Sequence, residues 1–296
     1  MEPAEFGQLV KSLRKATYDP SGNPWTRESL SSYIHLSVNQ LGRLERGDRK
    51  YFDNHTLALL CEAFKLSPIE RKEFLLAAAG ITDADFCNHL SPVEQLSEVA
   101  EVAANIQTPI FVLDAFQDII ATNQACLELF MINREMIEFA RQLPIGFNLL
   151  YYLYSKDLGF QDLLGPAWNV VAMIQIHQFR RTSLRFRQHK YYKYLLNELL
   201  KEPKFDIDWY TSHRSPNKNY QKYEYFSYNH KAYGDLKYIA TETNTDTLHG
   251  ELQLIIYNPS DSKTALLFNR LAETSLSRIT KLATWPEKPG FEASNN

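Results

Sequence analysis

Apolar residues recur at helical spacing over roughly the first eighty positions, then give way to short β-branched and aromatic runs. Phe6, Leu9, Val10 and Leu13 mark one face of a first helix, and Leu30 with Ile34 marks the buried face of a second. Thr26 can cap that second helix, with Glu28 and Ser29 in its first turn, where polar or negative groups suit the helix dipole. His35-Leu36-Ser37 then makes a turn with Leu36 as its inward plug. Ser37 caps a third helix with Leu41 and Leu44 three apart, and Gly47 follows where the chain must leave through positive φ. Asn39, Gln40 and Arg43 remain on that helix's outer face. Helices over Thr56 to Phe64 and Pro68 to Ala79 complete a five-helix N-terminal domain.

The run Ala79-Gly80-Ile81-Thr82-Asp83 ends this pattern, and Ser91-Pro92 opens a helix through about Ala104, which places a boundary near residue 88 and domains at 1–87 and 88–296. Ile110 to Leu113 and Ile119 to Thr122 read as two strands, with Asn123 capping a helix over Gln124 to Phe130. Helices follow at roughly Asn148 to Tyr154, Pro166 to Phe186, Lys190 to Leu200 and Phe205 to Ser212. Three strands then come at Tyr223 to Tyr228, Leu236 to Glu242 and Glu251 to Tyr257, and a last helix over Ser260 to about Leu282. The fold class is multidomain, α plus α/β: a five-helix bundle before a five-stranded antiparallel sheet with helices, in the order found in PAS-like sensor domains. The helices between the strand groups are apolar on more than one face. Such an insert can cover a cavity.

Composition changes this picture little. The chain has 296 residues, enough for two cores, with 44% apolar and 23% charged residues. Without an apolar stretch of about 18 residues or a charged leader before a greasy run, neither a membrane span nor a secretion signal is expected. Cys61, Cys87 and Cys126 are odd in number and scattered, which favours free thiols in a reducing compartment, hence a cytoplasmic protein. Of 38 aromatic residues only 8 precede residue 81, so the second domain carries the aromatic interior. Residues 1–80 have a net charge of only +1; Arg27, Arg43, Arg46, Arg49 and Lys50 nevertheless cluster around the third helix. A patch so modest implies only moderate affinity for a polyanion per monomer and a homodimer that doubles the contacts.

The segment from Thr26 to Gly47 resembles the helix-turn-helix of the phage-repressor (XRE) family, down to the closing run Arg43-Leu44-Glu45-Arg46-Gly47. It departs at His35, where the family usually has glycine, and at Arg27, where a glutamine is common. Histidine tolerates the required backbone angles better than β-branched residues do. The resemblance implies double-stranded DNA as partner, with Val38, Asn39 and Arg43 facing base edges and Arg27, Ser37, Arg46 and Arg49 facing phosphates. It also implies a structural pair between Arg14 and Glu45. The alternative is a helix pair within an ordinary bundle, its polar residues merely solvated.

A second resemblance covers about residues 105 to 272. It is carried by IFVLDAFQDIIATNQACLELF, FNLLYYLY at Phe147, WNVVAMIQIHQFR at Trp168, PKFDIDWY ending at Tyr210, and the pair GDLKYIATE and LHGELQLIIYNPSD. Together these look like the MmyB-like ligand-binding domain found behind the same reader in bacterial transcription regulators. The chain departs at Ser227-Tyr228-Asn229-His230, where a histidine-proline step is usual, and in a longer loop at Asn244 to Asp246. Membership implies a PAS-like sensor for a small apolar ligand, a fatty acid or similar lipid, and no other cofactor.

A lipid needs an apolar tube with a polar end. Candidate lining residues are Phe111, Leu127, Phe130, Leu149, Tyr152, Met173, Ile176, Phe179, Trp209 and Tyr225, each of which can instead be plain core. His177, Arg180 and Arg181 are candidates to hold a carboxylate head group, or else form a basic exposed edge. The eight histidines are dispersed, and the chain has no metal-ligand spacing, glycine-rich phosphate loop or nucleophile elbow. A DNA-binding, ligand-sensing transcription regulator without catalytic activity is therefore expected. In the alternatives, the second domain docks a protein partner and holds no small ligand, or it carries a nucleophile or general base beside its pocket.

Overall fold

Side-chain caps fix where the first helices begin. In the computed structural model, Thr26 accepts from the Ser29 amide at 3.0 Å and starts α2 (Arg27–Tyr33), and Ser37 accepts from the Gln40 amide at 3.2 Å and starts α3 (Val38–Arg46). Gln40 returns the bond, its Oε1 accepting from the Ser37 amide at 2.8 Å. These lie between α1 (Pro3–Ala16), α4 (Asn54–Ala63) and α5 (Pro68–Ala78). Phe6, Leu30, Ile34, Leu41, Leu44 and Phe74 meet in one core. His35 adopts the left-handed region at φ +55°, so the turn between α2 and α3 forms without glycine. Gly47 has no such latitude: its φ is +80°, and a Cβ there would stand 2.5 Å from Ala4 Cα. The expected Arg14–Glu45 pair is present, at 2.6 Å.

The structure describes residues 1–48, 52–80, 91–143, 145–158, 160–212, 223–247, 249–273, 279–288 and 290–291, the side chains of 157, 223–225 and 228 aside. The boundary expected near residue 88 lies outside them. Beyond it run α6 (Pro92–Ala104), β1 (Ile110–Leu113), β2 (Ile119–Asn123), α7 (Gln124–Leu129), α8 (Arg134–Arg141), α9 (Leu149–Tyr154), α10 (Phe160–Leu164), α11 (Trp168–Thr182), α12 (Lys190–Leu199), α13 (Pro203–Thr211), β3 (Tyr223–His230), β4 (Gly234–Thr245), β5 (Leu252–Pro259), α14 (Ser262–Glu273) and β6 (Ile279–Lys281).

The sheet has six strands in the order β3-β4-β5-β1-β2-β6, every neighbour antiparallel. This corrects two expectations. The last helix stops at Glu273, and Ile279 to Lys281 pair with β2 as a sixth strand, covering backbone groups that would otherwise form a bare edge. Two further helices were not expected: α10 has only five residues, too few to show a period, and α8 buries only Ile137 and Ala140, so its apolar signal is slight.

Side-chain alternation divides the sheet. Ile110 and Val112 of β1 and Leu252 and Leu254 of β5 pack against Val99 and Ala103 of α6. Phe111, Ile255 and Tyr257, with Tyr238 and Ala240 of β4, face the other way, toward α10 and α11. Behind α11 lies a separate aromatic core with α9, α12 and α13, including Tyr154, Ile176, Phe179, Phe205 and Trp209.

The C-terminal segment returns to the β1–β2 turn through Lys288, buried with its Nζ 2.6 Å from Asp114 and 2.5 Å from Asp118. Asp118 also accepts from Asn148 and from the Tyr191 hydroxyl, each at 2.8 Å. Burial pushes the Asp114 carboxyl up to about 6, with Lys288 pulling it down and Asp118 pushing it up. Replacing Lys288 by Met leaves two buried carboxyls without their cation. Urea denaturation of Lys288→Met is expected to show a loss of about 3–5 kcal/mol, the usual cost of breaking a buried ion pair from one side.

Candidate functional site

Two surfaces attract attention. The first is the outer side of α3. Leu41, Gly42, Leu44 and Glu45 turn inward, and the remaining positions point out: Val38 is 40% exposed, and Asn39, Gln40, Arg43 and Arg46 are exposed around it. Ser37 spends its oxygen lone pair on the cap but keeps a hydroxyl proton to donate. Arg46 pairs with Asp48 at 2.9 Å on the surface. Arg27, expected to face outward, donates Nε to Glu45 at 2.7 Å, so Glu45 is held by Arg14 and Arg27 together. Burial pushes the Glu45 carboxyl up, but hydrogen bonds from both arginines outweigh it and hold the group below the usual carboxylate range. Arg49 lies outside the described residues.

The second is a cavity of about 700 Å³ between the sheet and α11. Phe111, Phe226, Tyr238, Ala240, Ile255 and Tyr257 form its sheet side. Phe130, Leu149, Leu153, and Phe160 and Leu164 of α10 close one end. Val171, Ile174, Gln175, Gln178 and Arg181 line it from α11. The far end is polar. Glu242 accepts from Gln178 at 3.0 Å and from Gln253 at 2.9 Å, and Arg181 pairs with Glu251 at 2.7 Å and lies 3.8 Å from Glu242. Burial pushes the Glu251 carboxyl above its ordinary range although Arg181 pulls it down.

Of the residues anticipated for this pocket, Phe111, Phe130, Leu149, His177 and Arg181 do line it. The others whose side chains are described lie elsewhere. Ile176, Phe179 and Trp209 are core on the opposite side of α11. Leu127 borders a different surface groove, beside α8. Tyr152 donates to the Gly146 carbonyl at 2.5 Å and packs at a tilt against Phe160, one layer behind the wall. Met173 is half-buried off the lining, and the side chain of Tyr225 is outside the described set. The error is one of helix rotation. Positions 171, 174, 175, 178 and 181 share the cavity face, whereas 176, 179 and 180 share the other. Period-two alternation in β4 and β5 carried a usable signal for Tyr238, Ala240, Ile255 and Tyr257. Nothing local marked α10.

Arg180 also turns away from the cavity. Its Nε reaches Glu70 of α5 at 3.1 Å, and one NH group donates to the Trp209 carbonyl at 3.1 Å, with the guanidinium over the Trp209 ring. Arg187 meets the other oxygen of Glu70 at 3.0 Å and bonds the Tyr192 hydroxyl. Glu70 is only 1% exposed. Burial raises its carboxyl, but Arg180, Arg187 and the Ser67 cap outweigh this and leave it below the ordinary range. Leu184 joins the core of the helical domain, and Arg185 lies 3.8 Å from Glu73. The helical domain and the sheet domain are thus fastened by a buried carboxylate between two arginines.

The model of the MmyB-like transcription regulator ligand binding domain matches residues 99–271, which contain every lining residue of the cavity but those of α5. No curated protein matches the chain.

The Glu70 contact gives an acid-sensitive junction. A carboxyl held below its unfolded value contributes stability that is complete above the ordinary glutamate range and is lost as pH falls through its folded value. The protection of α5 amides, measured relative to their intrinsic exchange rate at each pH, should therefore fall in acid below about pH 4.3, the free glutamate value. Glu70→Gln should show the same loosening at neutral pH, about 3–5 kcal/mol in interdomain stability.

Proposed function

We propose that this chain, which belongs to the family of transcription regulators with an MmyB-like ligand-binding domain, reads DNA through α3 and senses a small apolar molecule in the cavity beneath its sheet. The observation that carries this reading is the cavity itself: about 700 Å³, apolar along the sheet and α10, polar at one end. A fatty acid or similar lipid suits such a shape, and a PAS-like sensor suits the order of two strands, intervening helices and three strands. Arg181 is left as the one anticipated arginine at the polar end, since Arg180 is committed to Glu70.

For the helix-turn-helix reading, support comes from the capped α2–turn–α3 unit and the outward set Val38, Asn39 and Arg43. An arginine there can bond two guanine acceptors and an asparagine can do the same for adenine. Ser37 and Arg46 sit at the ends of α3, where phosphates pass, with Arg27 nearby on α2. A homodimer would place two such helices about 34 Å apart, so a small change in domain arrangement would alter operator affinity.

We read the protein as non-catalytic and cytoplasmic. Burial pushes the Cys61 thiol up to about 11 and the Cys126 thiol up to about 12, far from nucleophilic poise. Among the described residues, no helix is long and apolar enough to cross a membrane.

Mass spectrometry of gently extracted protein should find an acyl lipid or similar apolar molecule. An empty cavity would turn the reading toward a protein-interaction module. In selection from random DNA, Arg43→Ala should relax preference at one base pair by about 1–3 kcal/mol. Arg46→Ala should instead weaken all sequences alike and reduce the salt slope by about 1. Identical behaviour of the two variants would refute this division of roles.

A further inference from the structure

The cavity's fourth side belongs to neither the sheet nor α11. Ile69, Lys72 and Glu73, three and four residues apart on one face of α5, line it together with Pro68. These residues lie in the helical domain, outside the matched span 99–271. The adjoining face of α5 carries Glu70, held by Arg180 and Arg187. Arg180 sits on the side of α11 away from the cavity, and its neighbour Arg181 lines the cavity. The buried ion cluster that docks the two domains therefore also brings Ile69 and Lys72 to the cavity.

Charge at the polar end points the same way. Arg181 already faces Glu251 and Glu242. Among the described residues Lys72 forms no ion pair, and it stands exposed at the rim.

Resting on the sensor reading above, we propose that the effector site is shared by both domains. An anionic amphiphile lies with its apolar chain against the sheet and Ile69, and its acidic head group is met by Lys72 of the helical domain. Undocking of α5 opens one wall and removes that cation, so the ligand binds the docked arrangement best and stabilises it. Linkage makes this reciprocal: whatever loosens docking weakens the ligand by the same factor. Because α3 stays exposed in the docked arrangement, the bound state presents the reader in one fixed pose relative to the sensor.

The test uses the full chain and two fluorescent probes, cis-parinarate and the corresponding neutral alcohol. Ile69→Ala should weaken both by roughly tenfold, in line with lost methylene contacts in an apolar site. Lys72→Ala should weaken the acid several-fold and leave the alcohol unchanged. Glu70→Gln should weaken both, and cis-parinarate should slow hydrogen exchange of α5 in the wild type. Leu75→Ala, exposed on α5 and off the cavity lining, serves as control and should bind as the wild type does. Wild-type binding of the probes with unchanged affinity in Ile69→Ala and Lys72→Ala would overturn the shared site and leave the sensor standing. Failure of the wild type to bind either probe would remove the sensor reading and this inference with it.

Discussion

A carboxylate enclosed by two arginines is an expensive object to bury, and the arrangement of this molecule turns on one. Glu70 has no route to solvent, so the charge on α5 is tolerable only while Arg180 and Arg187 of the other domain face it. The cost of separating them is what makes the junction definite, since apolar contact alone would permit sliding. The Ser67 cap adds to this: the Ser67 amide donates to Glu70 at 2.8 Å, tying the charge to the first turn of its own helix.

That constraint passes directly into α11. Its rear face supplies Ile176 and Phe179 to an aromatic core and Arg180 to the junction, and its front face supplies Val171, Gln178 and Arg181 to the cavity. A helix gripped on one side by a packed core has little freedom to rotate on the other. The cavity is therefore framed by rigid neighbours along the sheet and α11, while its α5 wall depends on an ion cluster. In the proposed mechanism a change at the ligand reaches the reader through that wall, without a long chain of intermediates.

The DNA-facing and ligand-facing halves of the proposal differ in how they are supported. On α3 the chemistry is local: a capped start, two inward leucines and a polar outside are enough to present side chains to a groove. In the cavity the chemistry is assembled from β1, β3, β4, β5, α9, α10, α11 and α5, elements spread from residue 68 to residue 257.

This difference also explains what was readable in the chain alone. Capping residues, the spacing of Leu30, Ile34, Leu41 and Leu44, and the β-branched runs determined the helices of the first domain, the position of Gly47 and the five long-recognised strands, because each depends on residues close in sequence. The family resemblance over the second domain was likewise legible from local segments, and the match at 99–271 bears it out. Tertiary structure alone decided which side of α11 meets the cavity, because a helix with apolar residues on more than one face has no single direction to bury. It also decided that Arg180 would serve Glu70, 110 residues away, and not a ligand. The sixth strand and the α5 wall belong to the same class: an open sheet edge and a docked helix find their partners only once the chain has folded back on itself.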